Sequence, residues 1–226
     1  MADRKIEVVI SDFGGVLTTP LLGSFMAFQD ETGISTEALG KAMQAIAEQD
    51  GENPLYRLER GEIAELAFLE RLGEGLEPLL GHRPHLHRFK EIYFEALDPN
   101  PPMIELMRGL RAAGHRMAML TNNVREWEPL WRSMLPVDEI FEVVVDSGFV
   151  GFRKPEAQIY QLTLERIGAP AEACLFVDDV ALNCEGARRA GMRAVHFCDN
   201  EQAIAEINQL LGAPEAQPGR GAQAAG

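Results

Sequence analysis

Apolar residues along the chain fall into two kinds of pattern. Short, nearly continuous apolar runs rich in β-branched residues predict strands at Ile6 to Ser11, Met117 to Thr121, Phe141 to Val145, Cys174 to Val177 and Ala194 to Phe197. Runs without an alternating polar face imply strands buried on both sides. Between the later runs, apolar positions recur at helical spacing over Met103 to Ala113, Val124 to Leu135, Pro155 to Ile167 and Ala181 to Ala190. Gly114, Gly168 and Gly191 stand where such helices end. This alternation predicts an α/β fold with a doubly wound parallel sheet.

The first and second strands lie too far apart for one crossover. The intervening residues have helical character of their own: Ser35 or Thr36 can cap Glu37 to Glu48, Arg60 or Gly61 precedes a pattern through Leu72, and Leu86 to Leu97 is amphipathic. The expected organisation is a core of residues 1–17 and 98–211 with an all-helical cap inserted at 18–97. The Asp98-Pro-Asn-Pro-Pro102 segment is its stiff return linker. The tail, 212–226, is Gly, Ala, Pro and Gln with little to bury, and is expected to be disordered.

Composition adds exclusions. A net charge of -14 over 226 residues argues against an extended nucleic-acid surface, which needs clustered Lys and Arg, although a local cation or helix N-terminus can still bind a small anion. No run approaches the roughly 18 apolar residues that span a bilayer. Met1 to Val8 is charged and lacks the apolar region of a signal peptide, so the expected location is the cytoplasm, with no membrane partner. Cys174, Cys184 and Cys198 form no CxxC pair and match no zinc template, which reads as reduced and mostly buried thiols.

Candidate chemistry sits where the predicted strands end. Asp12, Thr121 with Asn122, Lys154, and Asp178 with Asp179 each follow an apolar run or open a helix. Singly, each could be a turn former, a cap or a solvated charge. Together, in a doubly wound sheet, they converge in the crevice outside the carboxyl ends of the strands.

Four stretches in order, SDFGGVLTTP, MAMLTNN, RKPEAQIY and CLFVDDVALNCEGARRAGM, resemble the four motifs of the haloacid dehalogenase superfamily. The last two, and the helical insertion, are most similar to the branch holding the phosphatase domain of soluble epoxide hydrolases and related sugar-phosphate phosphatases. That resemblance implies a Rossmann-like core and a phosphatase acting on a small phosphorylated metabolite. Asp12 would be the nucleophile that becomes an aspartyl-phosphate, and Lys154 would pair with Asp12 and the phosphate. Thr121 and the Asn122 backbone would hold phosphate oxygens at a helix N-terminus, with Asn123 a further contact. Mg²⁺ would be held by Asp12, Asp179, the Gly14 carbonyl and, as ligand or supporting partner, Asp178. Hard oxygen ligands suit Mg²⁺ better than zinc.

Gly14 departs from the commonest pattern, in which an aspartate two residues after the nucleophile moves the proton. Such a group contributes about 10² to 10⁴ in rate. Two alternatives therefore stay open: a 2-haloacid dehalogenase, disfavoured by the acidic pair, and a regulatory phosphate-binding protein of weak or no activity. GHRPHLHRFK, from Gly81 to Lys90, concentrates histidine and basic residues and reads first as a solvated loop, second as a phosphate contact or proton donor. Arg153 is either a second anion contact or a surface charge. Phe25, Phe28, Trp127 and Trp131 read as core, and Asn183 as an orienting residue at a helix start.

Overall fold

The computed structural model describes residues 5–212; residues 1–4 and the expected disordered tail from residue 213 onward lie outside the described residues. Five strands form one parallel sheet: β1 (Val8–Ser11), β2 (Arg116–Thr121), β3 (Val143–Asp146), β4 (Cys174–Asp178) and β5 (Arg193–His196). The spatial order is β3-β2-β1-β4-β5. β1 is central, with Ile10 level with Ala118 of β2 and with Phe176 of β4. The expected α/β fold with a doubly wound, Rossmann-like sheet is what forms, and strand order reverses at β1.

Each face of the sheet has its own apolar layer. Val8 and Ile10 point into a cluster with Ala118, Leu120, Phe176, Ile159 and Tyr160, while Val9 points into another with Met117, Met119, Leu175 and Val177. Alternation along a pleated strand divides the residues this way, and helices on both faces explain the uninterrupted apolar runs.

Between β1 and β2 lie α1 (Leu22–Thr32), α2 (Thr36–Asp50), α3 (Pro54–Glu59), α4 (Glu65–Leu80) and α5 (Phe89–Glu95), followed by α6 (Pro101–Ala112). Ser35 caps α2 by accepting from Ala38 N, and Asn53 caps α3 with Pro54 at its first turn. The chain enters and leaves this insertion through two adjoining connections. Thr19 N donates to Asp98 O, Asn100 N donates to Leu17 O, and the Asn100 amide donates to Val16 O.

Three expectations change. Val124 to Leu135 is not one helix but a 3₁₀ turn at Arg125–Trp127, then α7 (Glu128–Ser133) and, after a break, α8 (Val137–Ile140); Pro129 and Pro136 segment the pattern. The short α9 (Ser147–Val150) was not signalled by periodicity, because Asp146 nucleates it locally by accepting from Gly148 N at 2.9 Å. α10 (Ala157–Ile167) starts after Pro155 rather than on it. α11 (Ala181–Arg189) and α12 (Asn200–Leu211) complete the fold.

Asp146 gives a pH test of this scaffold. Burial pushes its carboxyl up to about 6 from the ordinary 3.8, against the bond from Gly148. A buried acid of this kind favours its neutral form in the fold. Its stabilising effect is complete below the ordinary carboxylate range and is lost as pH rises through about 6. Asp146→Asn, which keeps an accepting oxygen, is expected to gain up to about 3 kcal/mol over the native chain at pH 8 and nothing at pH 4. Urea titration at the two pH values checks this; an equal difference at both contradicts it.

Candidate active site

The carboxyl ends of β1, β2 and β4 and the loop after α9 meet at one point, where a buried ammonium group joins two buried carboxylates. Lys154, 1% exposed, places Nζ 2.8 Å from Asp12 Oδ1 and 2.7 Å from Asp178 Oδ2. Asp12 also accepts from Phe13 N at 2.7 Å. Asp178 is wholly enclosed: Oδ1 accepts from Val180 N at 2.8 Å and from the Asn183 amide at 3.0 Å, and that amide also lies 3.2 Å from Oδ2. Tyr160 donates to Asn183 O at 2.8 Å, which fixes the start of α11 against α10. With donors on both oxygens, Asp178 orients Lys154.

Electrostatics here are unbalanced. Burial raises the Asp12 carboxyl well above the usual range; Lys154 opposes that, while Asp178 and Asp179 add to it. Burial and then Asp178 also raise Asp179. Burial would strip the proton from Lys154, but Asp12 and Asp178 outweigh it and hold the ammonium charged. Two carboxylates share one ammonium, and a third lies beside them.

Oxygens of Asp12, Asp178 and Asp179 lie within 4.8 Å of one another. A hard divalent cation fits this donor set and would correct its charge. Asp179 reaches the group because its carboxylate rests against Gly15: a Cβ on Gly15 would lie 2.2 Å from Asp179 Oδ2. Gly15 also has φ +77°, so both space and backbone require glycine there. The Asp179 carbonyl lies 3.0 Å from His196 Nε2, which ties the loop to β5.

Thr121 closes β2 and is buried, but it does not open a helix; residues 122–124 intervene before the 3₁₀ turn. The expected helix N-terminus at Thr121 and Asn122 is therefore absent, since Asn122 is committed elsewhere. Its amide donates to Lys154 O at 3.0 Å and accepts from Lys154 N at 2.8 Å, clamping the lysine backbone. Asn123 N donates to Ser147 Oγ at 3.0 Å, a contact the sequence did not signal.

Beside Gly14 a cavity of about 210 Å³ opens between the strand ends and the insertion. Thr121, Asn122 and Asn123 border it on one side; most of its remaining wall is apolar, including Leu39, Met43, Leu58, Phe68 and Trp127. Phe28 and Trp131 are core residues as expected, whereas Phe25 and Trp127 also line the cavity. His82, His85 and His87 are exposed and line other hollows. Arg153 is half-buried and not free: it pairs with Glu59 of α3 and lies 4.0 Å over the Tyr56 ring. Cys174 and Cys184 are buried and Cys198 is exposed, all three as free thiols.

Removing the ammonium leaves two carboxylates facing each other in a buried site. Lys154→Met is expected to cost about 3 to 5 kcal/mol in urea unfolding. Adding Asp178→Asn should recover part of that loss, because the two changes are coupled; strict additivity would contradict the shared-ammonium arrangement.

The haloacid dehalogenase-like hydrolase family matches residues 6–191. Among curated proteins, the chain is 29% identical over 214 residues to acyl-CoA dehydrogenase family member 10 of Mus musculus, covering 93% of this chain and 20% of that protein. It is 25% identical over 228 residues to mouse bifunctional epoxide hydrolase 2, covering 93% and 40%. It is 29% identical over 170 residues to a glyceraldehyde 3-phosphate phosphatase of Methanopyrus kandleri, covering 74% and 69%. The chain thus spans well under half the length of the first two. Two solved structures share the fold. One is a Bacteroides thetaiotaomicron HAD family enzyme in complex with magnesium and inorganic phosphate (TM-score 0.61, 21% identity, 84% of this chain and 93% of that one). The other is the L-2-haloacid dehalogenase of Xanthobacter autotrophicus (TM-score 0.62, 20% identity, 94% and 85%). No helix among the described residues is long and apolar enough to cross a membrane. By the extent of the family match and the order of its motifs, the chain belongs to the haloacid dehalogenase-like hydrolases.

Proposed function

We propose that the protein is a Mg²⁺-dependent phosphatase that hydrolyses a small phosphorylated metabolite through Asp12. The observation that supports this most is the Asp12–Lys154–Asp178 contact beside Asp179, a nucleophile, a fixed cation and a cation-attracting acidic pair in one place. The phosphatase name of the archaeal relative points the same way.

An oxygen of Asp12 forms a bond to phosphorus as the ester P–O bond breaks, and the alcohol oxygen leaves with a proton. Water then attacks phosphorus, the bond to Asp12 breaks, and inorganic phosphate departs as the water gives up a proton. Lys154 offsets the repulsion between the Asp12 carboxylate and the incoming phosphate, and Thr121 with the Asn122 backbone contacts the phosphate oxygens. Asp12, Asp179 and the Gly14 carbonyl would hold the Mg²⁺, with Asp178 supporting; the ion, when bound, neutralises phosphate charge. We assign α1 to α5, within residues 18–97, to a cap that supplies the substrate-selecting wall. Dehalogenation by the same fold is less well supported, because three grouped carboxylates repel a haloacid anion in the absence of a cation.

The apolar cavity wall favours an ester of a compact apolar alcohol. Phosphate release with Mg²⁺ is expected to stop with EDTA and with Asp12→Asn. Benzyl phosphate and glucose 6-phosphate have leaving groups of the same kind, and benzyl phosphate is expected to show at least a tenfold higher kcat/KM, as burial of one ring implies. Metal-independent turnover, or release unaffected by Asp12→Asn, would remove this reading.

A further inference from the structure

Gly14 deprives this reaction of its usual proton carrier, and the cavity next to it contains one carboxylate. Among the cavity-lining residues, Glu59 and the phenol of Tyr93 are the ionisable groups. Glu59 ends α3, with its side chain 15% exposed, and Oε2 accepts from Arg153 Nε. Among the described residues its other oxygen, Oε1, accepts no hydrogen bond. Arg153 precedes Lys154 in the chain and stacks on Tyr56 of the same short helix. The loop that holds the lysine against Asp12 therefore also holds Glu59 at the cavity wall. Arg60 reinforces the attachment by pairing with Glu52, Glu62 and, across to the core, Glu156.

We infer that Glu59, supplied by the helical insertion, carries the proton that Gly14 cannot. This rests on the phosphatase reading. As the ester bond breaks, the Glu59 carboxyl gives its proton to the leaving alcohol oxygen; as water then attacks phosphorus on Asp12, the Glu59 carboxylate takes the water's proton. One cycle returns both side chains to their starting states. Burial raises the Glu59 carboxyl, although Arg153, Lys154 and Arg60 all oppose it. Tyr93 is a poorer donor, because burial, Glu59, Asp12 and Asp179 push its phenol far above neutral pH. The role needs a carboxyl group rather than a particular backbone position, so a cap residue can perform it.

The test uses the full chain with Mg²⁺ and two esters, benzyl phosphate, whose leaving alkoxide needs a proton, and 4-nitrophenyl phosphate, whose leaving group does not. Glu59→Gln is expected to lower kcat on benzyl phosphate about a hundredfold or more. With 4-nitrophenyl phosphate it should give a burst of one nitrophenolate per enzyme and then slow turnover, because only the second step is stalled. Adding Gly14→Asp should restore at least tenfold on benzyl phosphate. The atoms nearest a Cβ at Gly14 are those of the Leu21 side-chain tip, at 3.2 and 3.3 Å, which can yield. Equal losses on both esters without a burst, or no loss, overturn the inference and leave the phosphatase reading standing. No phosphate release by the native chain from any ester removes both. If Glu59→Gln does not fold, Glu59→Asp is the second variant; it is expected to show a smaller loss with the same leaving-group dependence, and loss without that dependence counts against the inference.

Discussion

A buried ammonium shared by two carboxylates is the constraint on which this protein depends. Lys154 arrives from a loop beyond β3, Asp12 from β1 and Asp178 from β4, and none of the three is acceptable in that position without the others. Around them the other contacts act as supports. The Asn122 amide clamps the lysine backbone, Asn183 and Val180 saturate Asp178, and Tyr160 secures Asn183. The strand ends are held in register by polar contacts as well as by the apolar layers beneath them.

The site remains incomplete in charge. Two buried acids and a half-buried third set against one base disfavour the ionised state, and the direction of the Asp12 and Asp179 shifts expresses that strain. The acidic excess leaves a local field that favours a cation at the strand ends. Gly15 shows how closely the arrangement is packed, since the backbone there touches the carboxylate of Asp179 with no room for a methyl group.

Much of this was legible in the sequence, and the omissions have physical causes. Strand cores and the polar residues that end them could be read because a parallel sheet buried on both faces leaves continuous apolar runs, and because ligand chemistry collects at their carboxyl ends. The identity of Asp12, Lys154, Asp178 and Asp179 as neighbours followed from that rule. The path of the chain after Thr121 did not: prolines break the helical pattern there, and Asn122 spends its amide on a partner 32 residues away. Glu59 had no local signature at all. It is an ordinary helix-end glutamate until α3 is folded against Arg153, and only tertiary contact makes it a cavity residue. The Arg153 pairing with Glu59 was unreadable for the same reason.

The two connections that join the helical insertion to the sheet run side by side, hydrogen-bonded from Thr19 to Asp98 and from Asn100 back to Leu17. A segment whose ends are already fastened together imposes little on the sheet beyond that junction, whatever its length. The insertion can therefore be lengthened, shortened or replaced as a cassette while the strand ends stay unchanged. A change of that kind reshapes the cavity wall while leaving the buried ammonium behind it in place.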